Sequence, residues 1–206
     1  MKVLKKIKGG KQIDNIKRSK DKLVNFNWRS LAIPVCLNLF ITLILIGGFY
    51  ILNSSFIFAL SMGLLSLGIS LQNSLTKTIG TGGVFFIFYS FLTFNLPEIG
   101  IAGWDKIVVF LISGILYECV QIIFKRREFI FSILAPILTI TLIPFISALM
   151  ISWKLVLTFP TELVDLVIFA GIVSCVCTLS FLLVWAKIKT NKKIIKLRSY
   201  FGVLNQ

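Results

Sequence analysis

The sequence predicts an all-α integral membrane protein with six transmembrane helices and both termini in the cytoplasm. Three observations carry that expectation. Of the 206 residues, 57% are hydrophobic and only 15% are charged, whereas a soluble domain is roughly half apolar and about a quarter charged. Residues 30–76 contain no charged side chain at all. Lys and Arg collect in alternate breaks between the apolar runs.

The apolar runs cover about 31–52, 56–75, 80–96, 107–124, 129–152 and 163–186. A bilayer-spanning helix needs roughly 20 mostly apolar residues, so the third and fourth runs lie near the short limit. The first follows a basic stretch, but it is longer than a signal-peptide core and no small-x-small cleavage site follows it, so it should remain as a helix. Asn53-Ser54-Ser55 separates it from the second, and Thr76-Lys77-Thr78 closes the second. Glycines at 80, 82 and 83 give the third a flexible start. Pro97 to Lys106 leads into the fourth, and Lys125 to Glu128 separates it from the fifth. The fifth contains Pro136 and Pro144, each removing one backbone hydrogen bond. Two readings stand for it: a bent helix lining a cavity, or packing geometry alone. Trp153 to Glu162 leads into the sixth. Barrel strands alternate in polarity at every second residue, and these runs do not.

If all six helices cross, segments 1–29, 76–78, 125–128 and 187–206 share one side and hold 20 of the 22 basic residues; Lys106 and Lys154 are alone on the other. Cytoplasmic loops carry the excess of Lys and Arg. The chain therefore divides into a basic cytoplasmic segment (1–29), a transmembrane domain (30–186) and a basic cytoplasmic tail (187–206). The net charge of +14 is a topology signal, and nucleic acid is not among the expected partners. Residues 1–29 contact anionic lipid, at roughly 1 kcal/mol per basic residue, or dock a partner.

With no His, no Cys-x-x-Cys and only Cys36, Cys119, Cys175 and Cys177, nothing supports zinc, haem or His-based catalysis. We expect no cofactor, no metal and no enzyme activity. Gly80-Thr81-Gly82-Gly83 lacks the Gly-Lys-Ser/Thr ending of a phosphate-binding loop. Ala32 with Cys36, and Ser66 with Ser70, are small residues four apart, a spacing that lets helices approach closely.

The outer loops hold Glu98, Asp105, Glu162 and Asp165 against two lysines, for a net −2. Trp104 and Trp153 accompany them. Acids at helix starts suit the helix dipole and Trp prefers membrane interfaces. Alternatively these residues, with Asn95, form a shallow pocket in which a cation meets Trp faces. Glu118 lies in the fourth run, Gly114-Ile115-Leu116-Tyr117-Glu118, seven residues before Lys125. That places it about 10 Å from the cytoplasmic end, on one face with Gly114 and Gln121. It pairs with a cation from Lys125 to Arg127 or Lys77 and fixes packing, or it contacts a partner.

The Gly-rich start of the third run, the loop with Pro97 and Gly100-Ile101-Ala102-Gly103, and KIVVFLISGILYECVQIIF resemble the substrate-binding S components of energy-coupling factor (ECF) transporters. The resemblance implies a six-helix subunit that captures a vitamin-like solute or metal ion from outside. It also implies a transmembrane coupling subunit and cytoplasmic ATPases as partners. The family's Ala-x-x-x-Ala docking motif falls on Ala32 to Cys36, with Cys for the second Ala; Glu118 and Gln121 join them as expected coupling residues. Function is thus expected to be solute capture for an importer of the cell membrane. The permease half of a small ABC exporter and a structural or assembly subunit are the alternatives.

Overall fold

The computed structural model describes residues 28–76, 79–124, 128–151 and 160–200. These form α1 (Trp28–Ile51), α2 (Ser54–Thr76), α3 (Thr81–Leu92), α4 (Trp104–Ile123), α5 (Glu128–Ile151), α6 (Pro160–Ile188) and α7 (Lys192–Tyr200). No strand occurs among the described residues. Antiparallel neighbours α1–α2, α3–α4 and α5–α6 pack closely, and α2 also meets α3, α5 and α6. Five helices, α1, α2, α4, α5 and α6, are long and apolar enough to cross a membrane. Large apolar side chains such as Phe40, Leu43, Ile115, Ile172 and Leu183 stay exposed on their outer faces. Lipid is as apolar as those side chains, so burial gains little there and association must come from close packing and polar contacts.

Small residues supply both. On α2, a Cβ at Gly63 would lie 3.3 Å from the Cys177 thiol of α6, and one at Gly68 would lie 2.8 Å from the Ile41 and Phe85 side chains. Ser66 lies between the glycines. Its hydroxyl donates to the Ser174 carbonyl at 3.0 Å and lies 2.7 Å from the Thr178 hydroxyl. Ser66, of the pair noted in sequence, thus marks a real helix contact. Ala32 and Cys36 instead point outward and are exposed.

Helix boundaries follow local chemistry. The Asn53 side chain accepts from the Phe56 N–H at 3.1 Å, so the expected turn is an N-cap and only two residues separate α1 from α2. Asn191 does the same for α7, accepting from the Lys193 N–H at 3.0 Å. That short basic helix was not expected.

The third run departs from expectation. It was read as one span over 80–96, but α3 has 12 residues, about 18 Å against a hydrocarbon core of about 30 Å. The helix stops because Thr93 closes it, with both its N–H and its hydroxyl donating to the Tyr89 carbonyl. Pro97 then disfavours helix at Leu96. Residues 93–103 continue as irregular backbone, with tight turns at Gly100 (φ +83°) and Gly103 (φ +75°).

The opposite end of α3 explains the acid in α4. The Glu118 carboxylate accepts from the Gly80 N–H at 2.8 Å and the Gly83 N–H at 2.9 Å. It thereby satisfies orphan donors of a helix N-terminus, where the dipole favours an anion. The lysines and arginine expected to pair with it, Lys77 and Lys125 to Arg127, lie outside the described residues. Glycine is required for the approach: a Cβ at Gly114 would lie 3.0 Å from the Gly83 Cα, and one at Gly82 would overlap the Tyr117 ring. Gly80 itself is left-handed (φ +92°), a conformation costly for other residues.

Two outcomes test this junction. Glu118→Ala leaves two part-buried donors unpaired and should cost about 2 kcal/mol, the low end of about 1–3 per group, read as a lowered melting temperature in detergent; Glu118→Gln should cost less. Gly82→Ala must displace the Tyr117 ring, held against Phe86 and Phe131, and should be comparably destabilising. Unchanged melting of both Glu118→Ala and Gly82→Ala would show that the junction does not hold α3.

Candidate binding cavity

A cavity of about 830 Å³ opens at the end of the bundle that carries residues 93–103. Three helix faces and one loop form it. From α6 come Glu162, Asp165, Leu166 and Phe169, residues spaced three and four apart along one face. From α5 come Pro144, Ser147, Ala148 and Ile151. The start of α2 gives Ser54, Ser55 and Phe58, and the turn Pro97 to Gly100 covers one side. Phe58 and Phe169 stack with ring centroids 6.3 Å apart. The volume falls within the 300–1,000 Å³ typical of small-molecule sites, and the mostly apolar lining with a few polar groups is also typical.

The covering turn is held from beneath by a buried ion pair. The Lys106 ammonium lies 2.5 Å from the Glu98 carboxylate, with both side chains fully buried. It also donates to the Thr93 carbonyl at 2.6 Å and the Leu96 carbonyl at 2.8 Å. An ammonium has three protons, and these three partners use them all. The Tyr89 hydroxyl donates to Glu98 at 2.9 Å. Gly100 N–H donates to the Pro97 carbonyl at 3.0 Å and Gly103 N–H to the Phe94 carbonyl at 2.8 Å, which closes the loop on itself.

This geometry divides the residues expected to bind substrate. Glu98, Glu162 and Asp165 do line one cavity. Glu98 is corrected in role: it was counted as an outer acid attracting a cation, but Lys106 neutralises it. Trp104 is 74% exposed, packs edge-on against Phe94 and does not line the cavity. Asp105 in the first turn of α4, and Asn95 in the turn after α3, are exposed and also lie outside it. Trp153 falls outside the described residues. Sequence reasoning missed Phe58, Ser147 and Phe169. The spacing of Phe169 four residues after Asp165 was the available signal, and Pro144 lines the cavity. Among the described residues, no group of three His, Cys, Asp or Glu side chains is placed to hold a metal ion.

The residues expected to couple to a partner lie elsewhere. Ala32 and Cys36 share the exposed face of α1 with Leu39, Phe40 and Leu43. Gln121 is buried one turn beyond Glu118, and its side-chain carbonyl has no hydrogen-bond partner. Glu118 is occupied by α3. Comparison with protein-family models, with curated proteins and with solved structures finds no match.

Lys106 and Glu98 should show strong coupling. Lys106→Met alone strands a buried carboxylate and should destabilise by about 3–5 kcal/mol, measured by thermal unfolding in detergent. Adding Glu98→Gln should recover part of that loss. A double variant no more stable than the single one would mean that the two charges do not act on each other.

Proposed function

We propose that this chain is a membrane-embedded solute-capture subunit of a multi-subunit importer, of the kind the ECF S components exemplify. Its cavity receives a small solute from the non-cytoplasmic side. A transmembrane coupling subunit and cytoplasmic ATPases would drive release. The observation that carries this reading is the cavity's position at the end of the bundle opposite the basic residues Lys187 to Arg198.

The arrangement of the helix ends supports six crossings. Ser54 at the start of α2, Pro97 before α4, Ile151 at the end of α5 and Glu162 at the start of α6 all border one cavity. These four described helix ends and turns therefore share one end. At the other end lie Gly80, beside Glu118, and the tail with Lys187, Lys189, Lys192, Lys193, Lys196 and Arg198. Short as it is, α3 passes from one end toward the other, and residues 93–103 complete the pass. Irregular backbone at membrane depth is tolerated where protein satisfies its polar groups, and Lys106 does so here. Cytoplasmic placement of the basic end then puts both termini in the cytoplasm and makes the cell membrane the expected location.

Two experiments test this reading. In a background lacking the four native cysteines, a membrane-impermeant maleimide should label a cysteine at Asn53 in intact cells, and not one at Lys193. Labelling at Lys193 from outside would reverse the orientation. Separately, the detergent-purified protein is equilibrated with a whole-cell metabolite extract, desalted and analysed by mass spectrometry. Wild type should retain a solute that the cavity-filling Ala148→Trp variant does not. Retention of nothing by wild type would remove solute capture.

A further inference from the structure

We propose that the cavity selects an organic ammonium ion carrying an apolar or aromatic body, with Glu162 and Asp165 receiving the charge and Phe169 the body. This rests on the solute-capture reading and narrows it to a ligand class.

The charge arrangement comes first. Three carboxylate residues border the cavity, and Glu98 is already neutralised by Lys106. Glu162 and Asp165 remain, both exposed, and neither has an ion-pair partner among the described residues. Glu162 lies in the first turn of α6, where the dipole alone would favour an acid. Asp165 is the sixth residue of the helix. The dipole's effect fades within the first turn, so helix capping does not account for it. It is an acid placed inside a run otherwise apolar enough to cross a membrane, facing the cavity.

Geometry then sets the shape of the ligand. Glu162, Asp165 and Phe169 occupy one face of α6. Phe169 lies one helical turn below Asp165, about 6 Å, and about 10 Å below Glu162. Its ring stacks on Phe58 from α2, and Leu166 and Ile99 extend the apolar lining. A ligand with its charge beside the carboxylates therefore has its body against rings and aliphatic side chains about one turn deeper. A bare metal ion would leave that apolar depth empty. An anion would meet two carboxylates with no cation among the described lining residues to offset them.

The test uses three probes that share a phenyl ring and a two-carbon linker: 2-phenylethylammonium, 2-phenylethanol and 3-phenylpropionate. Each is titrated into the full-length protein in detergent, with calorimetric affinity and melting temperature as readouts. The ammonium should bind at least about ten-fold more tightly than the alcohol, a difference of about 1.4 kcal/mol, and the carboxylate should not bind. The double variant Glu162→Gln with Asp165→Asn should lose that preference while melting as wild type does without ligand. Phe169→Ala should weaken the ammonium and the alcohol alike. Equal or tighter binding of the alcohol or the carboxylate, no binding of the ammonium, or an undiminished preference in the double variant would each overturn the assignment. Failure here is separable from failure of solute capture. If the metabolite extract yields a retained neutral or anionic solute, capture stands and this ligand class falls; if it yields none, both fall.

Discussion

The fold depends on two charged side chains of α4 that hold the two ends of α3. Glu118 accepts from the N–H groups at its start, and Lys106 donates to carbonyls just past its end. The two are 12 residues apart, and α3 has 12 residues. At 1.5 Å per residue both distances are about 18 Å, so α4 acts as a splint cut to the length of its neighbour. The signs are correct for the helix dipole at both ends. A helix this short leaves unpaired backbone groups within the bundle, and each would cost several kcal/mol without a partner in so apolar a setting.

Everything at the cavity end follows from that splint. Because Lys106 fixes Thr93 and Leu96, the chain must turn back before α4, and Glu98 is drawn beneath the turn to balance the ammonium. The turn Pro97 to Gly100 then projects beside α5, where the Ser147 hydroxyl reaches the Ile99 carbonyl at 3.4 Å. The space between this turn and α2, α5 and α6 is the cavity. At the opposite end the same helix pair is pressed together by glycine, with Gly83 against Gly114 and Gly82 against Tyr117. The aromatic cluster of Phe86, Tyr89 and Phe110 fills the middle.

Much of this was legible in the sequence. Five of the six apolar runs are helices whose ends fall within about three residues of the expected ones, because length and hydropathy decide such elements. The third was misjudged because Phe91 to Leu96 is apolar enough to continue a span, while the features that end it are a side-chain hydrogen bond of Thr93 and contacts with a lysine ten or more residues away. Long-range polar pairing leaves no periodic trace. The acids were legible only as a set. Glu98, Glu162 and Asp165 do line one cavity, yet nothing in their spacing tells that Lys106 claims one of them. The tryptophans misled for a physical reason: Trp favours a membrane interface on its own account, and Trp104 is exposed beside Phe94 without lining the cavity.

The glycine segment 80–83 and Glu118 posed separate puzzles in sequence and have one solution. The segment looked like a weak phosphate loop without its lysine. Exposed backbone N–H groups at a glycine-rich helix start do attract an anion, and here the anion is the chain's own carboxylate, delivered from the neighbouring helix. The same logic sorts the remaining charges of the described bundle. Lys106 and Glu98 are buried and Glu118 half-buried, and each is matched by a helix end or an opposite charge. Asp105, Glu162 and Asp165 are exposed and have no ion-pair partner among the described residues. Of these, the pair on α6 borders the cavity beneath the turn Pro97 to Gly100. A buried pair is often no more stable than apolar packing of equal volume, so Lys106 and Glu98 are best understood through geometry. They fix where the covering turn stands, and so which faces of α5 and α6 border the cavity.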